Sequence, residues 1–220
     1  MMQSLSKVWD FLLFFESSEY VDSRYSEFHG GHANAGKLAE IASAFRQARL
    51  FHQAFQQADF IVRPLIVFYC FLAIARGLTL FLEPAKREAN LAPKHGLACI
   101  GLNECLNQDT GELLELKVKI ENGTFLELLR ATKNMNFVRA NSSAVNFHVP
   151  GPMPPPGAII KFESLCARIP DLAVAFKKWT GESIRAAKLL SFTSNEIITL
   201  KLDILKLITG RDCFDADYLQ

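Results

Sequence analysis

The chain lacks an excess of charge of either sign: 24 lysines and arginines stand against 23 aspartates and glutamates, a formal net charge of +1 over 220 residues. Such a balance supplies no long-range field for a polyanion, so bulk charge gives direct nucleic-acid contact no support. Paired cysteine motifs are missing as well. Cys70, Cys99, Cys105, Cys166 and Cys213 are odd in number, form no C-x-x-C, and stand mostly among apolar neighbours, where a free thiol behaves as a small hydrophobe. That usage suits a reducing cytoplasm. The residues from Met1 to Lys7 have no basic stretch leading into an apolar one, and Asp10 and Glu16 flank the short run Phe11 to Phe15, so a secretory signal is not expected. Also absent are a phosphate-binding glycine loop, a dinucleotide fingerprint, a G-x-S-x-G elbow and an H-E-x-x-H helix. No familiar enzyme class is recognisable, no cofactor or metal is expected, and an unfamiliar active site is left open.

What is present is apolar and aromatic. Half of the residues are hydrophobic, 21% are charged, and 18 are phenylalanine, enough to bury a sizeable core. The pattern predicts an α+β fold, mainly helical: a helical part over residues 1–84, then a smaller part with antiparallel strands and short helices over 85–220, packed with the first as one domain. Ser4 or Ser6 caps the first helix and Ser17 or Ser18 the second. A glycine-rich loop, His29 to Gly36, precedes a helix from Lys37 whose apolar stripe is Leu38, Ile41, Phe45, Ala48, His52 and Phe55. After a turn around Asp59 to Val62, Pro64 opens a central helix that Glu83-Pro84 ends. This helix is apolar enough to suggest a membrane span. Arg76 inside it would cost roughly 2.5 to 3.5 kcal/mol on insertion, so a core helix covered by neighbours all round is expected, and no membrane partner.

Beyond Pro84, strands are expected at Leu97 to Ile100, at Leu114 to Ile120 with its period-two alternation, and at Val145 to Val149. Thr124 to Arg130, Phe162 to Ile169 and Asp171 to Trp179 read as helices. Ser183 to Phe192 and Ile197 to Ile204 read as an antiparallel pair across Thr193 to Glu196. The proline run Pro150 to Gly157 reads as a stiff internal loop in preference to a polyproline ligand.

The run Arg63-Pro64-Leu65-Ile66-Val67-Phe68-Tyr69-Cys70-Phe71, followed by His95-Gly96-Leu97, resembles the central signature of the YaaC-like proteins, a bacterial family without an established activity. The resemblance extends to Trp9 and Phe14-Phe15-Glu16-Ser17, to Asn122-Gly123-Thr124-Phe125 and to Ile169-Pro170-Asp171-Leu172, roughly residues 5 to 180. It implies a fold more than a function. Against that family the chain reads as short at its C-terminal end, either as a compact variant or as a subunit whose complement is another chain.

Four residues are candidates for chemistry. His95, just after the helical half, would serve as general base or ligand with Arg63 holding an anion; the structural alternative has His95 bracing a loop and Arg63 bonding carbonyls at a helix junction. Arg24 and His29 satisfy the loose Arg-x4-His pattern and so resemble the HEPN-type ribonucleases, in which arginine and histidine from paired helices act on the RNA phosphodiester. Here the pattern sits early, beside a loop, where that family carries it on a late helix, and a spacing this loose recurs by chance. His29 and His32 supply half of a zinc site, and no second pair completes it. His52 on its apolar stripe is expected neutral, and Arg76 is expected to pair with Glu16, Asp59 or Glu83.

Two functions follow. The first is a non-catalytic cytoplasmic subunit that binds other proteins in a larger bacterial assembly through Phe11, Phe14, Phe28 and Phe51, because a core of this size does not hide every phenylalanine. A phage-defence complex of a nuclease and an ATPase would be such a host. The second is a metal-independent ribonuclease using Arg24 and His29, or a hydrolase using Arg63 and His95.

Overall fold

A computed structural model describes residues 2–106, 110–139, 146–150, 152–184, 189–193 and 201–204. Its contacts divide the chain into two units, Met1–Gly96 with Asn122–Asn134, and Leu97–Glu121 with Met135–Gln220. The fold is mainly helical with a small antiparallel sheet, as the sequence pattern predicts.

The first unit opens with α1 (Met2–Phe14), which starts ahead of both candidate caps, so Ser4 and Ser6 lie inside it. Serine is only mildly unfavourable there and an apolar stripe outweighs it. The cap of α2 (Ser18–His29) is Ser17, whose hydroxyl accepts from the Tyr20 N–H, and Gly30 ends the helix at φ 72°. Asn34 accepts from the Lys37 N–H and thereby starts α3 (Ala35–Gln57) two residues earlier than expected, drawing Gly36 out of the loop and into the helix. The turn to α4 (Arg63–Leu82) is tied by Asp59: its carboxylate accepts from the Ile61 N–H at 3.0 Å and its carbonyl from the Val62 and Arg63 N–H groups. Pro64 sits in the first turn of α4, where no N–H is needed.

Helices α3 and α4 approach closely at Gly77, where a Cβ would stand 3.0 Å from the Phe45 ring. Val21, Tyr25, Leu38, Ile41, Phe45, Leu80 and Leu91 form the core there, and a second cluster gathers Ala48, Cys70 and Ala73 beside Trp9. One expectation fails. The central helix is not covered all round: a third of its most apolar window is buried, and Leu65, Phe68, Tyr69 and Phe71 are exposed. Of the described helices, α4 is the one long and apolar enough to cross a bilayer, with a mean hydropathy of 2.2. This unit is completed by α6 (Thr124–Ala131), which packs on α4.

In the second unit, β1 (Leu97–Ile100), β2 (Lys117–Ile120) and β5 (Ile159–Lys161) form an antiparallel sheet in the order β1-β2-β5, with Leu97 opposite Ile120 and Lys117 opposite Lys161. The alternation from Leu114 becomes strand only in its last four residues, because Thr110–Glu115 winds as a 3-10 turn. The short helix α5 (Leu102–Leu106) and strand β5 were not legible in the pattern. Two further hairpins pair β3 (Met135–Arg139) with β4 (Asn146–Pro150), and β6 (Leu189–Thr193) with β7 (Lys201–Ile204). The predicted connection at Glu196 lies outside the described residues, as does Cys213. The proline run ends in a turn at Pro156–Gly157, pinned where the Gly157 N–H donates to the Ile120 carbonyl at 2.7 Å. Helices α7 (Phe162–Cys166) and α8 (Ala173–Thr180) meet at Cys166, Ala167, Phe176 and Ile184.

Candidate functional site

The His95-Gly96 and Asn122-Gly123-Thr124 segments cross backbone to backbone. A Cβ on Gly123 would lie 2.4 Å from the Gly96 nitrogen, 2.5 Å from its Cα and 2.6 Å from the Lys94 carbonyl oxygen. The φ of Gly123, 165°, is extended, so this crossing and no torsional demand excludes a side chain. Gly96, at φ 85°, turns the chain through the left-handed region. The first N–H groups of α6 have no partner within their helix, and they find one here: Thr124 donates to the Lys94 carbonyl at 2.8 Å and Phe125 to the His95 carbonyl at 3.0 Å.

His95 is thus held by its backbone, while its exposed imidazole stands edge-on to the Phe68 ring, 5.4 Å between centroids. Arg63 turns the other way, donating from Nε to the Ala58 carbonyl at 2.9 Å with its guanidinium 5.9 Å from the Phe55 ring. The His95 segment is held by backbone hydrogen bonds, and Arg63 satisfies one carbonyl at the turn between α3 and α4.

Arg24 and His29 are likewise separated. Five residues on a helix turn side chains about 140° apart. Arg24 lies on the exposed side of α2, bonded to Tyr20 and to Glu27 at 2.6 Å. The His29 Nε2 bonds the Phe81 carbonyl at 2.8 Å, and its ring packs against Tyr25 and Phe28. His32 pairs through Nδ1 with Asp22 at 2.9 Å, so the two histidines of the glycine loop have different partners. No group of three metal-ligating side chains occurs among the described residues.

His52 stacks on Trp9 at 4.0 Å, and burial lowers its pKa, which favours the neutral ring. Arg76 pairs with Glu88, not with any of the three carboxylates expected, and Glu16 is engaged by Arg49 at 2.6 and 3.1 Å. Sequence reasoning also missed Lys37. Its ammonium donates to the carbonyls of Glu83, Pro84 and Lys86, closing the C-terminal end of α4. Burial lowers its pKa, and Glu40 opposes that shift. The signal was available, since Lys37 stands at helical spacing before Ile41, Ala44 and Ala48. A groove of about 660 Å³ runs along α3 past Glu40, Arg46, Gln47, Arg76 and Glu88, and its charged groups are already paired within the protein.

Three of the four aromatic candidates, Phe11, Phe14 and Phe28, share one neighbourhood. Phe15 and Phe81 contact each other at 5.8 Å; Phe11 meets Phe15 at 5.5 Å, Phe14 meets Tyr20 at 5.3 Å, and Phe28 meets Phe81 at 6.0 Å. Phe11, Phe14 and Phe28 are more than half exposed on this cluster. Phe51 is apart from it, half-buried and stacked on Tyr69.

The family model described as YaaC-like protein matches residues 13–209. The chain belongs to the YaaC-like family. No curated protein and no solved structure matches it. In this member the motifs that carry the resemblance have structural work: the His-Gly and Asn-Gly-Thr segments form the crossing, and Glu16 of the Phe-Phe-Glu-Ser motif ties α1 to α3 through Arg49.

Proposed function

We propose that this YaaC-like protein is a cytoplasmic, non-catalytic subunit that binds other proteins within a larger bacterial assembly. The observation carrying this reading is the cluster under Phe11, Phe14 and Phe28. Exposed rings held by half-buried aromatic neighbours present large apolar area at little further cost in side-chain entropy, the property of an interface anchor. The bonding of Arg24, His29 and Arg63 in local structural contacts supports the non-catalytic part.

A native pull-down of tagged chain from the source cell, read by mass spectrometry, tests the reading. Specific proteins should be recovered in stoichiometric amount, with a nuclease and an ATPase the first to look for. Phe14→Asp with Phe28→Asp should lose them, and Arg24→Ala or His95→Ala should keep them. Retained partners with loss of the cellular phenotype in the Arg24→Ala or His95→Ala variant would instead mark an enzyme.

A further inference from the structure

A second apolar face lies at the other end of the helical hairpin. Phe60 and Ile61 at the turn are 82% and 85% exposed; Leu65, Phe68 and Phe71 follow at steps of three along α4, with Leu65 58% and Phe71 65% exposed. We propose that this face pairs with its counterpart on a second copy of the chain, α4 against α4 about a two-fold axis. The inference is separate from the partner-binding cluster on α1 and α2.

Two properties point to a second copy. The first is area. At about 200 Å² for a large apolar side chain, these exposures leave roughly 700 Å² on the face. That exceeds the largest patch of an ordinary monomer, about 300 to 600 Å², and approaches the roughly 800 Å² that each partner contributes to a stable interface. The second is charge. A two-fold interface sets the same patch against itself, so any uncompensated charge would meet its own sign. Between Arg63 and Arg76 there is no charged side chain; Arg76 is neutralised by Glu88, and Asp59 and Arg63 at the turn offset one another. The same balance disfavours a lipid surface, because interfacial binding draws on an unpaired basic rim, and Arg46, Arg49 and Arg76 of this hairpin are paired with Glu16 and Glu88.

The test is the mass of the full chain by size-exclusion chromatography with light scattering across a concentration series. Twice the chain's 24.6 kDa is expected. Leu65→Asp with Phe71→Asp should weaken association by about a hundredfold or more, with far-UV circular dichroism unchanged. Phe60→Ser with Ile61→Ser lies at the exposed turn, outside both helices, and should weaken it about tenfold; it decides the matter if the helix variant unfolds. Phe14→Asp with Phe28→Asp should remain dimeric, so loss of other partners in that variant bears only on the subunit reading. A wild-type monomer throughout overturns the proposal. So does a dimer indifferent to the turn variant, or a monomer that sediments with phosphatidylserine vesicles.

Discussion

The two halves of α4 are similarly apolar and end differently. From Ala73 onward the helix is core: Ala73, Gly77, Thr79 and Leu80 are buried, and Lys37 bonds the carbonyls of Glu83 and Pro84 just beyond its end. Before Cys70 the side chains are as apolar and considerably larger, yet Leu65, Phe68 and Tyr69 face outward. Hydropathy therefore does not decide burial along this helix; the neighbour does. Small residues let α3 come close, as Gly77 does beneath the Phe45 ring, while a helix of large residues waits for a partner that fits over it.

The largest effect is expected where the crossing supports that exposed half. It carries His95, whose ring partly shields Phe68, and it anchors α6 on α4. Gly123→Ala would press a methyl into the Lys94–Gly96 backbone, with no flexible side chain to yield, and should cost about 4 kcal/mol or more in urea unfolding. An ordinary loss below about 1 kcal/mol would mean that the two segments separate easily.

Next comes a direct contrast between the halves. Leu80→Ala should lose about 2 to 5 kcal/mol, since Leu80 is fully enclosed with Ile41 and Phe45 around it. Leu65→Ala should change monomer stability by less than about 0.5 kcal/mol. Equal losses, measured in dilute protein, would break the comparison outright. Lys37→Met falls between these, at about 2 kcal/mol, because the carbonyls of Glu83, Pro84 and Lys86 lose a charged donor that no methionine replaces. Its melting midpoint should drop while the association of the other half is unchanged.

Much of the helical unit was legible because its signals are local. Ser17 marks a helix end through its own hydroxyl and Pro64 and Glu83 through their own backbone, and the stripe Leu38, Ile41, Phe45, Ala48 is a period within one helix. The three-stranded sheet was half legible: β2 alternates, but β5 has three residues beside a proline run and no period to read. The candidate site was least legible. Arg63 with His95, and Arg24 with His29, were joined by residue type, and the structure gives each a different partner. What Gly96 and Gly123 do depends on two distant segments meeting, which neither segment encodes alone. Exposure of Leu65 and Phe71 was illegible for the same reason: an apolar run states what a helix can bury and not whether anything arrives to bury it.

The smallest effect is electrostatic and belongs to the covered half. Glu40 on α3 accepts from the Arg87 guanidinium at 2.7 to 3.1 Å and from the Glu88 N–H at 3.0 Å, fixing the segment that follows α4. The Arg87 hydrogen bonds are the main cause holding its carboxyl below the ordinary carboxylate range, with burial opposing them. A carboxyl lowered on folding binds fewer protons in the native state than in the unfolded chain wherever pH lies near or between the two values, so stability rises with pH there. The contribution is complete above the unfolded value and disappears as pH drops through the lower, folded one. Glu40→Gln should therefore melt about one or two degrees below wild type near neutral pH, and the gap should close on acidification. Taking the difference between the two proteins cancels the titration of the other carboxylates. A gap independent of pH would mean that Glu40 acts through the shape of its hydrogen bonds and not through its charge. That outcome would leave Lys37 as the cation on which the covered end of α4 depends.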